Sequence, residues 1–422
     1  MKFENTVEFA RALDAQDPLR HFRDKFFIPQ HNNHDAVYFT GNSLGLQPKS
    51  VIDHINVELE DWAALGVLAH QKGRNAWVSY HEQFAEPLST IVGARPEEVV
   101  AMNQLTVNIH LLFKSFYNPT RERYKIICEA KAFPSDQYAL QSQAGLHGFD
   151  PEEAIIEITP RQGEYTIRIE DILSAIEQNS TSTALVFIGG VNYYTGQVFD
   201  MPKITSAAHA IGADAGFDLA HAAGNIELKL HDWDVDFACW CSYKYLNSGP
   251  GSVAGVYIHE KHASNTALQR LAGWWGSRKD NRFQMQRQFE PIPTAEGWQL
   301  SNAPVLSMAA HKAALEIFEE AGMPNLVKKS NQLTQFLFHI LDEINKEQKH
   351  KVTEVITPRD AHGCQVSIFM LERGKEIFDA LIDAGIFADW REPNVIRIAP
   401  VPLYNTFEDV WKFGNIIKTI LE

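Results

Sequence analysis

One run of residues carries more information about this fold than any other, because an apolar, strand-like segment ends in a lysine. The run is Asp236-Phe237-Ala238-Cys239-Trp240-Cys241-Ser242-Tyr243-Lys244-Tyr245-Leu246, and a turn rich in glycine and proline follows at residues 247–251. A lysine at the buried end of a strand is costly unless something removes or balances its charge. Lys244 could also be an ordinary surface lysine at a strand end, so its meaning depends on residues elsewhere in the chain.

A second apolar stretch supplies an acid and a histidine, in the order Asp218-Leu219-Ala220-His221. An aldehyde cofactor would explain these residues together with Lys244. Lysine amines form Schiff bases with aldehydes, and an acid can hold a cationic ring nitrogen. At about 4 Å and an effective dielectric constant near 20, such an ion pair is worth roughly 4 kcal/mol before desolvation. Asp218 could instead be the N-cap of a following helix, and His221 could be a hydrogen-bonded core histidine.

Strand and helix patterns alternate around these residues. Apolar runs predict strands at residues 99–102, 124–128, 154–158, 184–188, 213–219, 236–241 and 252–259. Helical spacing of apolar residues predicts helices at 51–65, 106–116, 135–143, 169–176 and 202–211. Such alternation predicts a mostly parallel sheet covered by helices, in which ligands bind at the carboxyl ends of the strands.

The rhythm changes after about residue 305, where a smaller α+β domain is expected. Helices are predicted at 306–320, 326–343, 375–384 and 407–421, with strands at 352–356, 365–370 and 395–398. We therefore divide the chain into an N-terminal segment (1–45) that packs with the small domain, a large domain (46–304) and a small domain (305–422).

Two predicted strand-to-helix turns offer groups that could hold a phosphate. In residues 103–108, Thr106 as an N-cap would leave backbone N–H groups free to face an anion. In the second turn, Phe133 could stack on a ring, and Ser135 or Asp136 could cap the helix or donate a hydrogen bond. The simpler alternatives are a plain helix cap in the first turn and a hydrophobic staple with an N-cap in the second.

Arg397 lies between two isoleucines on a predicted strand, where it could point to solvent or bind a carboxylate with two parallel hydrogen bonds. The four cysteines suggest no disulfide framework in a chain of 422 residues, so a reducing cytoplasm is the expected location. Cys239 and Cys241 share one strand face, but no second cysteine or histidine pair has metal-ligand spacing, and we expect no metal site.

Composition excludes several classes of function. The chain is 45% hydrophobic and 22% charged, which is typical of a soluble globular protein. Its formal net charge of -15 argues against a nucleic-acid partner. The first residues lack the apolar core of a signal peptide, and no apolar run is long enough to cross a bilayer, so no membrane partner is expected.

Taken together, these residues resemble the kynureninase family of pyridoxal-phosphate enzymes, which have the aspartate aminotransferase fold. The resemblance covers nearly the whole chain and is most specific in residues 39–45, 133–136, 216–222, 231–247 and 396–404. It implies fold type I, with a large domain built on a mostly parallel sheet of the seven-stranded kind and a smaller C-terminal α+β domain. It also implies pyridoxal 5'-phosphate as the cofactor and a homodimer as the assembly.

The resemblance implies a role for each matching residue at the cofactor. Lys244 would form the Schiff base and shuttle protons, Asp218 would pair with the pyridinium ring, and His221 would lie beside it. Tyr243 would act on the phosphate or in proton handling. The remaining cofactor contacts would be Leu105, Thr106, Phe133, Pro134, Ser135, Asp136, Trp274 and Asn302, and at least one of the last two would come from the partner subunit.

For the substrate, the resemblance implies that Arg397 holds the amino acid carboxylate, that His70 lies near the aromatic ring, and that Asn302 also contributes. One departure concerns Gly189 and Gly190, where some relatives have a hydroxyl residue that contacts the cofactor. In this chain, that contact is expected to be missing or replaced by water.

The implied reaction is hydrolysis of L-kynurenine, or of its 3-hydroxy form, to L-alanine and anthranilate or 3-hydroxyanthranilate. This chemistry belongs to tryptophan catabolism and to NAD biosynthesis. A cysteine desulfurase or selenocysteine lyase is the nearest alternative, but those enzymes need a reactive cysteine on a mobile loop, and Cys364 precedes an apolar strand. The other alternative is a non-catalytic homologue that kept the fold.

Overall fold

The computed structural model describes residues 2–348 and 351–421. The α-helices in these ranges are α1 (Val7–Gln16), α2 (Val51–Leu65), α3 (Ala69–Lys72), α4 (Ala85–Val92), α5 (Leu105–Phe116), α6 (Pro134–Leu146), α7 (Pro151–Ala154), α8 (Ile169–Gln178), α9 (Met201–Ala210), α10 (Glu260–Ala263), α11 (Val305–Ala321), α12 (Met323–Glu347), α13 (Gly374–Asp383) and α14 (Phe407–Leu421). Short 3-10 helices lie at Arg20–Lys25, Gly66–Leu68, Trp77–Phe84, Pro96–Glu98, Trp274–Gly276, Arg282–Gln284 and Ala295–Trp298.

The β-strands are β1 (Gln30–His31), β2 (His34–Asp35), β3 (Val37–Tyr38), β4 (Val99–Ala101), β5 (Lys125–Glu129), β6 (Ile155–Ile158), β7 (Thr183–Gly189), β8 (Asp214–Asp218), β9 (Phe237–Trp240), β10 (Gly255–Ile258), β11 (Thr353–Val355), β12 (Val366–Met370), β13 (Ile386–Phe387), β14 (Asp389–Arg391) and β15 (Val395–Ile398). No helix in the described ranges is long and apolar enough to cross a membrane.

A seven-stranded sheet forms the centre of the large domain, in the order β4-β10-β9-β8-β7-β5-β6. Every neighbouring pair is parallel except the two that involve β10, which runs antiparallel to both β4 and β9. The predicted α/β fold with a mostly parallel seven-stranded sheet is therefore confirmed.

Alternate residues of each strand pack on opposite faces of this sheet, because side chains in a strand alternate with a period of two. On β7, Leu185 and Phe187 belong to one apolar core, whereas Val186 and Ile188 belong to another. Both faces are covered, which explains why these strands are continuously apolar rather than alternating in polarity.

A four-stranded antiparallel sheet, in the order β11-β12-β15-β14, lies in the C-terminal part of the chain. The N-terminal segment contacts this part, since β3 pairs in parallel with β13 and Val37 and Phe39 lie in the same apolar core as Ile396. In contrast, α11 shares the core of the large sheet and packs against α2. The domain limits proposed from the sequence remain a prediction.

Candidate active site

A cavity of about 290 Å³ lies where several strands of the large sheet end. Its lining residues are Gln104, Leu105, Thr106, Glu129, Phe133, Ser135, Asp136, Gly189, Val191, Tyr193, Asp218, Ala220, His221, Tyr243 and Lys244. Most of the residues that the sequence indicated for cofactor binding therefore meet in one place, although they are distant in the chain.

Lys244 reaches this cavity from the turn that follows β9. Its Nζ lies 3.0 Å from Nε2 of His221 and 5.7 Å from the centre of the Phe133 ring. Burial, with a smaller effect from the charge of Lys244, lowers the pKa of His221 well below its usual value. His221 is therefore a neutral imidazole at physiological pH and can hydrogen-bond the lysine amine.

Asp218 is the last residue of β8, and one of its oxygens, Oδ1, accepts a hydrogen bond of 2.7 Å from the backbone N–H of Ala220. No helix begins after Asp218, so the alternative of a helix N-cap is wrong. Burial raises the pKa of Asp218, and the charge of Lys244 opposes that rise. Burial and the neighbouring Asp218 also raise the pKa of Asp136 well above its usual value. The cavity therefore holds buried carboxyl groups that a cationic partner would stabilise.

Glu129 is a third acid in the cavity, and sequence reasoning missed it. It ends β5, and both carboxylate oxygens lie 3.1 Å from the backbone N–H of Gly189, which donates to them. Burial raises the pKa of Glu129 to about 7. A Cβ atom at position 189 would lie 2.9 Å from Oε1 of Glu129, so the glycine leaves room for this acid. The sequence does contain a signal for Glu129, because an apolar, strand-like run ends there in an acidic residue.

The turn before α5 differs from the prediction. Gln104 is the N-cap residue in extended conformation, its carbonyl accepts from the N–H of Asn108, and the helix begins at Leu105. Thr106 therefore lies in the first turn and is not the N-cap, because the chain already becomes helical one residue earlier. The free N–H groups of this first turn still suit an anion, since Gln104, Leu105 and Thr106 all line the cavity.

At the second turn, Phe133 is the N-cap residue of α6 and Pro134 is its first helical residue. The Phe133 ring lines the cavity and makes an edge contact with Tyr193 at 5.2 Å between ring centres. Ser135 and Asp136 line the cavity, whereas Pro134 does not. Tyr243 also lines it, and burial raises the pKa of its hydroxyl.

Besides Pro134, four residues predicted to contact cofactor or substrate lie outside the lining of this cavity. Arg397 is 1% exposed and binds the carbonyl of Tyr193 rather than facing the open space. His70 lies on α3 and makes an edge contact with Trp77. Trp274 is half-exposed and lines a separate surface groove, and Asn302 is exposed. The resemblance had already implied that Trp274 or Asn302 serves a partner subunit.

Three acid–histidine clusters occur elsewhere in the described ranges, and one of them comprises Asp214, Asp236 and His262. It lies at the amino ends of β8 and β9, away from the cavity. Asp236 already accepts hydrogen bonds of 2.7 Å from His209, from His262 and from the N–H of Ala215. These donors explain why the pKa of Asp236 is lowered despite its burial, and the cluster serves as a structural ion-pair network.

Comparison with known proteins finds relatives that align with almost the full length of this chain. Residues 326–417 match the family model of the kynureninase C-terminal domain. The chain is 56% identical over 420 residues to a kynureninase from Flavobacterium psychrophilum, with 99% of both chains covered. It is 51% identical to a kynureninase from Myxococcus xanthus, covering 99% of this chain and 97% of that one. It is 48% identical to a kynureninase from Nematostella vectensis, covering 97% and 93%.

Solved structures with the same fold are more distant in sequence. A cysteine desulfurase from Thermococcus onnurineus has a TM-score of 0.73 at 17% identity, with 92% of this chain and 94% of that chain covered. A cysteine desulfurase from Escherichia coli has a TM-score of 0.75 at 16% identity, with 96% and 98% covered. At these identities the likeness concerns the fold alone.

Proposed function

The chain belongs to the kynureninase family, and on that premise we propose that it hydrolyses L-kynurenine to anthranilate and L-alanine. The observation that carries the proposal is one cavity in which Lys244, His221 and Asp218 meet. The protein is an enzyme that cleaves a carbon–carbon bond, and its cofactor is pyridoxal phosphate. Hydrolysis of the 3-hydroxy form is part of the same proposal.

The residues around the cavity fit this cofactor. Lys244 presents a primary amine, the Phe133 ring offers an aromatic face, and Asp218 offers a buried acid. Nδ1 of His221 is buried and has no hydrogen-bond partner among the residues that the structure describes, so it is available to a ligand. When bound, pyridoxal phosphate supplies an aldehyde that captures amino groups and a ring that accepts electrons from the substrate.

The protein's own groups then position atoms and move protons. Asp218 would keep a proton on the ring nitrogen of the bound cofactor, because a buried carboxylate favours a cation beside it. Lys244 would take the proton from the substrate α-carbon, and neutral His221 would hold its amine in place through the 3.0 Å contact. The first turn of α5 and the hydroxyl of Tyr243 would hold the phosphate. These roles are supported by the lining of the cavity.

Substrate recognition in this proposal uses residues that lie outside the lining of the cavity. Arg397 binds the α-carboxylate, while His70 and Asn302 lie near the aromatic ring. At least one of Trp274 and Asn302 acts across the interface of a homodimer, and the exposure of both residues in the single chain supports that assignment. All four cysteines are buried free thiols, which supports a reducing location such as the cytoplasm.

The alternative of a cysteine desulfurase has less support, although its fold is shared. Cys364 is fully buried, and burial raises the pKa of its thiol to about 12, whereas a reactive cysteine needs an accessible thiolate. A non-catalytic homologue would not need the lysine, acid and arginine together.

The decisive measurement is the release of anthranilate from L-kynurenine, detected by the fluorescence of anthranilate. It is made with and without added pyridoxal phosphate. We expect turnover that requires the cofactor, and we expect Lys244→Ala to lose it while still folding. Lys203→Ala is the matched control, because Lys203 lies on the surface in an ion pair with Asp200. A Lys244→Ala variant with full activity would refute the proposed role of this lysine.

A further inference from the structure

The guanidinium of Arg397 already contacts groups of the protein. Its Nη1 donates to the carbonyl oxygen of Tyr193 at 2.5 Å, and its Nη2 lies 2.9 Å from Oδ2 of Asp389. Its Nε is buried and has no hydrogen-bond partner within residues 2–348 and 351–421. Tyr193 lines the cavity and Arg397 does not. Binding of a substrate carboxylate there, as the proposed function requires, therefore turns the guanidinium away from Tyr193 and exchanges that bond for one to the substrate.

The exchange has a consequence for the carbonyl that is left behind. A buried carbonyl that loses its donor costs free energy unless a second donor remains. The carbonyl of Tyr193 has such a donor, because Nε2 of Gln365 lies 3.0 Å from the same oxygen. A carbonyl oxygen has two lone pairs, so it can accept from Arg397 and Gln365 together and keep one bond when the other is broken.

Gln365 is held in place independently of Arg397. The residue is 1% exposed and immediately precedes β12. Its Oε1 accepts from Nδ2 of Asn42 at 2.9 Å, and its Nε2 also lies 3.1 Å from Oγ of Ser367. The amide therefore has fixed partners on both sides and stays at the Tyr193 carbonyl while the guanidinium moves.

We propose that Gln365 is a positioning residue for substrate binding, which keeps the Tyr193 carbonyl hydrogen-bonded when Arg397 turns to the carboxylate of the amino acid. It acts through Arg397 and touches neither cofactor nor substrate. Without it, Tyr193 and the substrate compete for the same donor, and the buried carbonyl is left unpaired in the complex.

The test is Gln365→Met, which keeps the length of the side chain and removes the donor. We expect KM for L-kynurenine to rise about tenfold or more, with kcat within about threefold of wild type and an unchanged Kd for pyridoxal phosphate. Gln365→Glu keeps the acceptor for Asn42 but not the donor to Tyr193, and the same rise in KM is expected. This second variant serves if the first does not fold.

Thr357→Val is the matched control. The hydroxyl of Thr357 is buried and donates to another carbonyl of the same segment, that of Thr195, at 2.5 Å. Neither Arg397 nor Gln365 takes part in that bond, so its loss lowers stability in the free and bound enzyme alike and leaves KM unchanged. A rise in KM for Thr357→Val equal to that for Gln365→Met would overturn the proposal, since any loosening of residues 193–195 would then be sufficient.

Equilibrium binding to the cofactor-loaded protein separates this idea from the proposed function. The ligands are L-kynurenine and the amine that lacks its carboxylate, and their binding is followed by cofactor absorbance in the Lys244→Ala background, where L-kynurenine is not consumed. In that background, Gln365→Met should weaken the binding of L-kynurenine and leave the binding of the amine unchanged. Equal weakening of both ligands, or no weakening of either, would reject the role of Gln365. Wild-type protein that binds L-kynurenine but releases no anthranilate would reject the proposed function instead.

Discussion

At the scale of single residues, burial determines the chemical state of the cavity. The neutral state of His221 and the raised pKa values of Asp136, Asp218 and Glu129 all have burial as their largest cause. Neighbouring charges adjust these shifts: Lys244 lowers the pKa of Asp218, while Asp218 raises the pKa of Glu129. Burial therefore favours the protonated, neutral form of these three carboxyl groups, and a cation bound beside them would favour the ionised form.

Glu129→Gln should change how the stability of the cofactor-free protein depends on pH. The folded-state pKa of Glu129 is about 7, above its usual value of 4.5, so folding is favoured when this group is protonated. Wild-type stability therefore falls as the pH rises from 4.5 to 7, and the variant lacks this fall. The free energy of unfolding of the variant relative to wild type should increase over that window, by about 3 kcal/mol.

Urea unfolding of both proteins at pH 5, 6, 7 and 8 measures this difference, because other titrating groups cancel between them. A difference that stays constant with pH would show that Glu129 is already ionised in the folded protein.

At the scale of elements, the exact placement of β8 controls where Asp218 lies. Gly216 sits within β8, and a Cβ atom there would lie 2.1 Å from the ring of Phe237 on β9. The glycine lets the ring pack across the strand, so β8 and β9 approach closely and their carboxyl ends bring Asp218 near Lys244. The functional geometry thus depends on a small residue two positions before the acid.

Gly216→Ala should lower the free energy of unfolding by about 1–3 kcal/mol through overpacking and weaken the binding of pyridoxal phosphate, because β8 must shift. Gly145→Ala is the control: this exposed position in α6 has open space around the added methyl and should gain up to about 1 kcal/mol. Urea unfolding and a cofactor titration measure both effects. Tight cofactor binding by a destabilised Gly216→Ala protein would contradict the link between β8 and the site.

At the scale of the whole molecule, one chain does not bring all predicted site residues together. Leu271, Trp274, Phe283 and Met285 are apolar and at least half-exposed in one region of the chain. Exposed apolar side chains grouped in this way are typical of a protein–protein contact. They support the proposed homodimer, in which each subunit completes the site of the other.

Mixing two inactive variants tests this arrangement. Lys244→Ala and Asn302→Ala should each have little activity alone. If Asn302 serves the partner's site, a heterodimer contains one intact site, and co-refolding equal amounts should restore about a quarter of wild-type activity. The measurement is anthranilate release after co-refolding, with separately refolded proteins as the control. No recovery despite heterodimer formation would place Asn302 and Lys244 in the same subunit's site.

Sequence patterns were sufficient for the features that depend on local order. The alternation of apolar runs and helical spacing predicted the strands and helices of the large sheet, because side-chain periodicity reflects which faces are buried. The prediction missed α1 and several shorter elements, because short or mixed segments give little periodic signal. The shorter elements are α3, α4, α7, α10, β1, β2, β3, β13 and β14. It also placed the N-cap of α5 two residues late, at Thr106 instead of Gln104.

Lys244, Asp218 and His221 could be named from the chain alone, because each ends or follows an apolar run and the sheet brings such ends to one edge. Only the tertiary structure revealed Glu129 against Gly189, Arg397 bound to the Tyr193 carbonyl, and Gln365 on that same carbonyl. These contacts join residues 60 to 204 positions apart. Local sequence patterns indicate which residues are buried. Which side chains then contact one another depends on strand register and on the packing of distant segments, and these form only in the tertiary structure.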